Sequence, residues 1–211
     1  MTDCEELKNS WKNTKVFQKQ LALNLQQLDV NERKGSYPPH WIELWNVLNR
    51  FRPKTVLEIV CGIGAASEVI RRHVDFVEYN GSDYSKEAIA IAKATWGTPD
   101  KFFVQDLWEL TEEIVQKYEC ILEGAVFDVN PNGDEALEFL LNLKPHNLYL
   151  QRMQFTDQPS YYEEYRAYDE ITTVQYYHNY DNFIKMIQSC GYDGAAIGTR
   201  GTPTGFYLKR R

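Results

Sequence analysis

The sequence has few cysteines and no long apolar run. Its four cysteines, Cys4, Cys61, Cys120 and Cys190, are scattered without a Cys-x-x-Cys pair, which argues against a zinc site and against a dense disulfide framework. We therefore expect free thiols in the reducing cytoplasm. No apolar stretch approaches the roughly 20 residues that span a bilayer, and the polar N-terminus does not resemble a signal peptide. A membrane is not an expected partner.

Positive charge is also scarce. The chain has 23 Lys and Arg against 30 Asp and Glu, a net charge of -7. A sequence-independent nucleic-acid surface needs clustered positive charge, so nucleic acid is not an expected partner either. The remaining composition is ordinary, with 43% hydrophobic residues among 211, and a chain of this size can bury its own core.

Two helical segments are predicted before residue 50. Apolar side chains recur at helical spacing between Leu7 and Leu28, and again between Trp41 and Leu48, after Pro38-Pro39. We predict that residues 1–50 form a helical extension packed on the core and that residues 51–211 form the main domain. A lid, or a contact with a second copy of the chain, is an alternative role for these helices.

Short apolar runs alternate with helical segments from Thr55 onward. Strands are predicted at 56–60, 76–83, 101–105, 120–126 and 148–153, helices from about 65, 85, 134 and 181, and a terminal hairpin pairing 195–198 with 205–208. This alternation predicts a Rossmann-like, doubly wound α/β fold with a mostly parallel seven-stranded sheet and an antiparallel C-terminal hairpin. Ligands of such sheets bind at the carboxyl ends of the strands.

A glycine turn follows the first predicted strand. Gly62 and Gly64 allow a sharp turn and bring bare backbone close to a ligand, while the next helix directs its free N–H groups into the same space. Glu58 lies inside the strand, where a charge is costly unless a partner satisfies it. Asp83 and Asp106 end the second and third strands, and the Asp83 carboxylate suits a pair of ribose hydroxyls.

These residues resemble the class I S-adenosylmethionine (SAM)-dependent methyltransferases, whose first motif is commonly an apolar pair, an acid and a Gly-x-Gly-x-Gly turn. The resemblance extends from about Thr55 to Met153. It implies that Glu58 and the Gly62/Gly64 turn hold the methionine end of SAM, that Asp83 binds the ribose, and that Asp106 with the Leu107 backbone faces the adenine. The complete set of cofactor positions that we predict is Glu58, Cys61, Gly62, Gly64, Asp83, Tyr84, Asp106, Leu107 and Glu123.

One residue departs from the family pattern. Val60 stands where the family usually has its first glycine, so we expect a wider turn or a different hold on the methionine end. A nicotinamide-dependent domain is the alternative fold-level interpretation. The turn lacks the third glycine of that fingerprint, and the acids at positions 58 and 106 are not part of it, which favours the methyltransferase.

Methylation of a hydroxyl requires a group that removes its proton. Asp128, just after the fourth strand, is the leading candidate for the base, with a turn residue as the alternative, and His178 is the second catalytic candidate. Asp134 is expected to cap the next helix. Asp128 and Asp134 are spaced so that they could share a divalent metal, although no metal is predicted. His40, beside Trp41, could reach in from the N-terminal segment.

The acceptor is predicted to be a sugar. Asn130-Pro131-Asn132-Gly133 is not the Asn/Asp-Pro-Pro-aromatic motif of nucleic-acid amino-methyltransferases, and the stretch from Tyr161 to Tyr180 contains seven tyrosines, whose faces and hydroxyls suit a sugar ring. The segments 148–152 and 169–183 also resemble a group of small sugar methyltransferases. The leading hypothesis is O-methylation of a glycan or nucleotide sugar, with a deoxyhexose such as rhamnose as one example. N- or carboxyl-methylation of a small molecule, or a non-catalytic partner subunit, are the alternatives.

Overall fold

The computed structural model describes residues 4–34, 37–197 and 204–211, and helices alternate with strands along them. The α-helices of this part of the chain are α1 (Cys4–Asn9), α2 (Thr14–Lys34), α3 (Pro39–Phe51), α4 (Ala65–His73), α5 (Lys86–Trp96), α6 (Glu112–Val115), α7 (Gly133–Asn142) and α8 (Tyr180–Ser189). Its strands are β1 (Thr55–Ile59), β2 (Glu78–Asp83), β3 (Phe102–Val104), β4 (Cys120–Glu123), β5 (Asn147–Met153), β6 (Phe155–Thr156), β7 (Tyr161–Ala167), β8 (Ile171–Asn179), β9 (Tyr192–Ile197) and β10 (Thr204–Arg210).

Seven strands form one sheet in the order β3-β2-β1-β4-β5-β10-β9. The first five strands pair in parallel, whereas β10 is antiparallel to both β5 and β9. This arrangement confirms the predicted doubly wound sheet with its antiparallel C-terminal hairpin. The residues that connect the two strands of the hairpin, 198–203, lie outside the described residues.

Both faces of the large sheet are buried. Successive residues of a strand point to opposite faces, so Val56 of β1 packs on one side with α3, α4 and α5, while Leu57 packs on the other with α7 and α8. Tyr149 and Leu150 of β5 divide in the same way. This two-sided burial explains why the central strands read as continuous apolar runs.

The N-terminal helices pack against the first of these faces. Trp41, Leu44 and Leu48 of α3 and Leu28 of α2 are buried among side chains of β1, β2 and α4. The helical character and the packing predicted for this segment are therefore present in the described residues, whereas the division of the chain at residue 50 remains a prediction.

Two parts of the chain differ from the sequence-based prediction. β4 ends at Glu123 instead of continuing to Val126, because the backbone turns at Ala125, whose φ is 116°. The connection between β5 and α8 is a second sheet, in which β8 pairs antiparallel with β7 and parallel with β6. The β-branched and aromatic residues of segment 171–177 are typical of a strand, so β8 does have a signal in the sequence.

Candidate cofactor and acceptor site

A cavity of about 720 Å³ lies at the carboxyl ends of the parallel strands. Among the predicted cofactor residues, those that line it are Glu58, Cys61, Gly62, Asp83, Tyr84, Asp106 and Leu107. The other two, Gly64 and Glu123, do not. Its position at the strand ends is the one predicted for a ligand of a doubly wound sheet.

The turn after β1 forms one wall of the cavity. Val60, Gly62 and Gly64 all have positive φ, at 52°, 55° and 73°, a conformation that a β-branched residue adopts only with strain. Val60 thus takes the backbone conformation that a glycine would supply, and only its side chain departs from the family motif. Gly64 precedes α4 directly and packs on the Phe102 ring, which accounts for it without a ligand contact.

Asp83 connects this turn to α5. One of its oxygens accepts a hydrogen bond from the Gly62 N–H and the other from the Ser85 N–H, each at 2.8 Å. Ser85 in turn caps α5 by accepting from the Ala88 N–H. Burial raises the pKa of Asp83 to about 6, against the opposing effect of these backbone donors. The carboxylate is thereby fixed at the cavity wall, and its remaining lone pairs are available to hydroxyl donors.

Glu58 is a buried acid of the same wall. Its carboxylate accepts a hydrogen bond from the Tyr79 hydroxyl. Burial raises the pKa of Glu58 to about 8, and the nearby charges of Asp83 and Glu123 add to the effect. A cation entering the cavity would favour ionisation of Glu58 and would be attracted by it. The wall therefore suits a ligand that carries positive charge.

The other two predicted acids stabilise turns. Asp106, on the cavity wall, caps the 3-10 helix Leu107–Glu109 by accepting from the Trp108 N–H at 3.0 Å. Glu123, buried behind the wall, accepts from the Ala125 N–H at 2.6 Å and also from the Val126 N–H. Glu123 thus shapes the turn after β4 and does not reach the cavity, in contrast to its predicted contact with the cofactor.

Neither predicted catalytic residue lines the cavity. Asp128 is 1% exposed and His178 is fully buried. Nδ1 of His178 lies 2.6 Å from an Asp134 oxygen, so this pair connects β8 with α7. The predicted N-cap role of Asp134 is wrong, since Asn132 precedes the helix and Asp134 lies in its first turn. A direct contact of Asp128 or His178 with an acceptor is not offered by this geometry.

The cavity is covered by the N-terminal segment and the β7–β8 hairpin, which contact each other. The Trp11 indole N–H donates to the Thr173 hydroxyl at 2.9 Å, and Lys19 forms an ion pair of 2.8 Å with Glu170. Val16 of the N-terminal segment packs against Ala167 of the hairpin. We call these two segments the cover; Trp11 of the first and Tyr165 and Ala167 of the second line the cavity.

Two polar residues with no predicted role, Gln151 and Arg152, complete the wall at the end of β5. They line the cavity together with Tyr165, one of the predicted sugar-facing tyrosines, and with His40, which was expected to reach in from the N-terminal segment. The Gln151 amide donates to the His40 carbonyl at 2.9 Å. Burial and the charge of Arg152 lower the pKa of His40 to about 4. The sequence carries a signal for Gln151 and Arg152, because residues at the end of an apolar parallel strand lie where ligands bind.

Two further observations concern metals and membranes. Within residues 4–34, 37–197 and 204–211, no three His, Cys, Asp or Glu side chains are grouped so that they could hold a metal ion. No helix of those segments is long and apolar enough to cross a bilayer.

Comparisons with known proteins identify the fold. Neither a protein-family model nor a curated protein matches the sequence. The magnesium protoporphyrin IX methyltransferase ChlM of Synechocystis PCC 6803, solved with bound SAM, is 18% identical; the match covers 92% of this chain and 84% of that one, with a TM-score of 0.56. The methyltransferase domain of bacterial CtHen1-C is 14% identical over 81% and 96% of the two chains, with a TM-score of 0.59.

A third similar structure is the N-terminal domain of EvdMO1, solved in the presence of S-adenosylhomocysteine (SAH) and D-fucose. It is 10% identical to this chain, and the match covers 83% of this chain and 84% of that one, with a TM-score of 0.57. At such identities the likeness shows the fold, and it confirms the fold that the sequence resemblance implied.

Proposed function

Because the chain has the fold of SAM-dependent methyltransferases, we propose that it is a SAM-dependent O-methyltransferase that acts on a sugar hydroxyl of a glycan or nucleotide sugar. The observation that carries the proposal is the placement of Glu58, Asp83 and Asp106 around one cavity, beside the glycine turn. Acids at the ends of three successive parallel strands suit a cationic ligand that also carries ribose hydroxyls and an adenine amine.

The donor set fits SAM, which supplies a methyl group already activated on a sulfonium. Glu58 and the Cys61-Gly62 backbone would hold its methionine end, where the ammonium and sulfonium charges favour the ionised Glu58. Asp83 would accept hydrogen bonds from the ribose hydroxyls. Asp106 and the Leu107 backbone would recognise the adenine, with the Tyr84 ring beside it.

A sugar acceptor is supported by the opposite wall. His40, Arg152, Tyr165 and Tyr168 line the cavity there, and this combination of polar groups and aromatic faces suits a hydroxylated ring. The likeness to a domain solved with D-fucose supports the same class of acceptor, of which a deoxyhexose such as rhamnose is one example. The N-terminal extension, residues 1–50, would serve as part of the cover over both ligands.

His40 is the proton acceptor that this geometry favours. It lines the cavity, whereas Asp128 and His178 do not. A pKa of about 4 leaves its imidazole neutral near pH 7, so a ring nitrogen can take the hydroxyl proton. A weak base suffices, because the hydroxyl becomes strongly acidic as its oxygen bonds to carbon. N- or carboxyl-methylation would not need this base. Val60 keeps the backbone conformation that a glycine would supply, so the turn gives no reason to prefer a non-catalytic subunit.

The test is turnover with methyl-labelled SAM and a panel of sugars and nucleotide sugars. We expect one SAH for each labelled product, and a loss of about 100-fold in kcat for His40→Gln with unchanged SAM affinity. His146→Gln, at an exposed histidine, is the matched control. Undiminished turnover by His40→Gln would indicate an amine or carboxylate acceptor. SAM binding without turnover of any acceptor would contradict the enzyme proposal.

A further inference from the structure

The charged residues that line the cavity are the acids Glu58, Asp83 and Asp106 and the cations Lys12, Arg152 and Arg166. Lys12 lies over the Tyr84 ring, and the Arg166 guanidinium donates to the Asp169 carbonyl. The acids Glu58, Asp83 and Asp106 lie on the side of β1 to β3, where the proposed cofactor uses them. Arg152 lies on the other side, at the end of β5. It is close enough to His40 that its charge adds to burial in lowering the pKa of that imidazole. At Tyr165, burial and the charge of Asp128 raise the pKa of the phenol, and the charge of Arg152 opposes that rise. A cation thus stands in the acceptor half of a cavity whose protein carries a net charge of -7.

A β-bulge places Arg152 there. Along β5 and β10, Leu150 is opposite Phe206 and Met153 is opposite Thr204, so Gln151 and Arg152 share one partner position. Arg152 has φ 59°, a left-handed conformation that is strained for a non-glycine residue. Bulges beside functional sites redirect a side chain. In an otherwise regular strand, this strain coincides with the one residue of β5 that brings a positive charge to the cavity.

The buried carboxylate of Asp128 lies close to the Arg152 guanidinium. One Asp128 oxygen lies 3.9 Å from Nη2 of Arg152, and within the described residues neither oxygen of this buried carboxylate has a hydrogen-bond partner. A buried carboxylate without hydrogen bonds is costly. Burial raises the pKa of Asp128, and the charge of Arg152 and the side chain of Gln175 oppose that rise. The Arg152 side chain remains 46% exposed, so its guanidinium is accessible to a ligand. Asp128 is therefore a positioning residue.

We propose that Arg152 binds an anionic group, a phosphate or a carboxylate, of the acceptor. The inference rests on the proposed function and names its substrate class: an acidic sugar such as a sugar phosphate, a nucleotide sugar or a uronate. The planar guanidinium matches both oxyanions, since its paired N–H donors can bind two oxygens at once. The anion would fix the ring in the acceptor half of the cavity, with a hydroxyl facing His40.

The binding test uses the full chain saturated with SAH. Hexose 1-phosphates, the matching uronates and the neutral hexoses are titrated separately into this complex by calorimetry. We expect at least one anionic series to bind 10-fold or more tightly than its neutral counterpart, and the stronger series identifies phosphate or carboxylate. SAH binding without any preference for an anion would overturn this inference alone, whereas failure of SAH to bind would overturn the proposed function as well.

Substitutions test whether Arg152 is the residue that binds the anion. Arg152→Gln should abolish the preference by weakening the anionic ligand about 10- to 100-fold, with SAH affinity unchanged, and Arg152→Lys should restore part of it. Asp128→Asn should raise the KM for the anionic acceptor more than it lowers kcat; a catalytic base would give the reverse. Arg33→Gln, on the exposed surface of α2, is the control. Weakened SAH binding by Arg152→Gln, with the anion preference retained, would instead assign Arg152 to the methionine carboxylate.

Discussion

Replacement of Val60 tests the strained turn. At φ 52° a residue with a Cβ pays about 1–2 kcal/mol, which glycine avoids, while glycine loses about 0.5–1 kcal/mol more conformational entropy on folding. Val60 is also half-buried against the core, so its loss removes packing. Val60→Ala and Val60→Gly remove nearly the same packing, and their difference isolates the backbone. We expect Val60→Gly to be more stable than Val60→Ala by about 0.5–1 kcal/mol.

Urea unfolding of the two variants measures this difference. An exposed helical position provides the control: Ala90→Gly in α5 should destabilise the protein by about 1 kcal/mol, the opposite sign for the same alanine-to-glycine change. Val60→Gly should also bind SAH as tightly as the unmodified protein, because the backbone of the turn is unchanged. A Val60→Gly variant less stable than Val60→Ala, as in the helix, would refute the left-handed conformation of Val60.

Three further predictions concern the pH dependence of stability, the cover and the buried histidine. The pKa of Glu58 is raised from 4.5 to about 8, so between these pH values the folded state binds a proton that the unfolded state does not. The melting temperature without ligand should therefore fall as the pH rises across that interval, and less steeply in Glu58→Gln. Trp11→Phe loses the indole hydrogen bond of the cover and should accelerate amide exchange in residues 161–179, measured by mass spectrometry, without unfolding the sheet. Asp134→Asn weakens the contact with buried His178 and should cost about 1–3 kcal/mol in urea unfolding, with SAH affinity unchanged; a loss of affinity instead would assign this pair to the site.

The large sheet was predictable because its signals are local. Apolar runs separated by helical segments predicted a mostly parallel, doubly wound sheet. The glycine turn after Glu58 predicted where β1 ends. The β7–β8 hairpin was missed because its tyrosines were interpreted as sugar-facing groups or as part of a half-buried lid, and not as residues of paired strands. Tyr161 and Tyr177 in fact stack on each other across the hairpin at 4.9 Å, and among the seven tyrosines only Tyr165 and Tyr168 line the cavity.

The proposed cofactor half of the site was more predictable than the proposed acceptor half. Asp83 ends β2 and Asp106 lies two residues after β3, so their position along the chain fixes their position at the sheet edge. Asp128 lies five residues beyond the end of β4, in an irregular segment whose path depends on long-range contacts, such as the Tyr176 N–H that donates to the Asp128 carbonyl. The role that we propose for Arg152 depends on a bulge, which is visible only once β10 pairs with β5.

The measurement that tests the central claim most directly is calorimetric titration of the protein with SAM, SAH and, as a control, NAD. We expect SAM and SAH to bind at micromolar concentrations and NAD not to bind. Asp83→Asn should weaken SAM about 10-fold or more, whereas Asp75→Asn, at an exposed acid, should have no effect. Folded protein that binds neither SAM nor SAH, or an Asp83→Asn variant with undiminished affinity, would contradict the account.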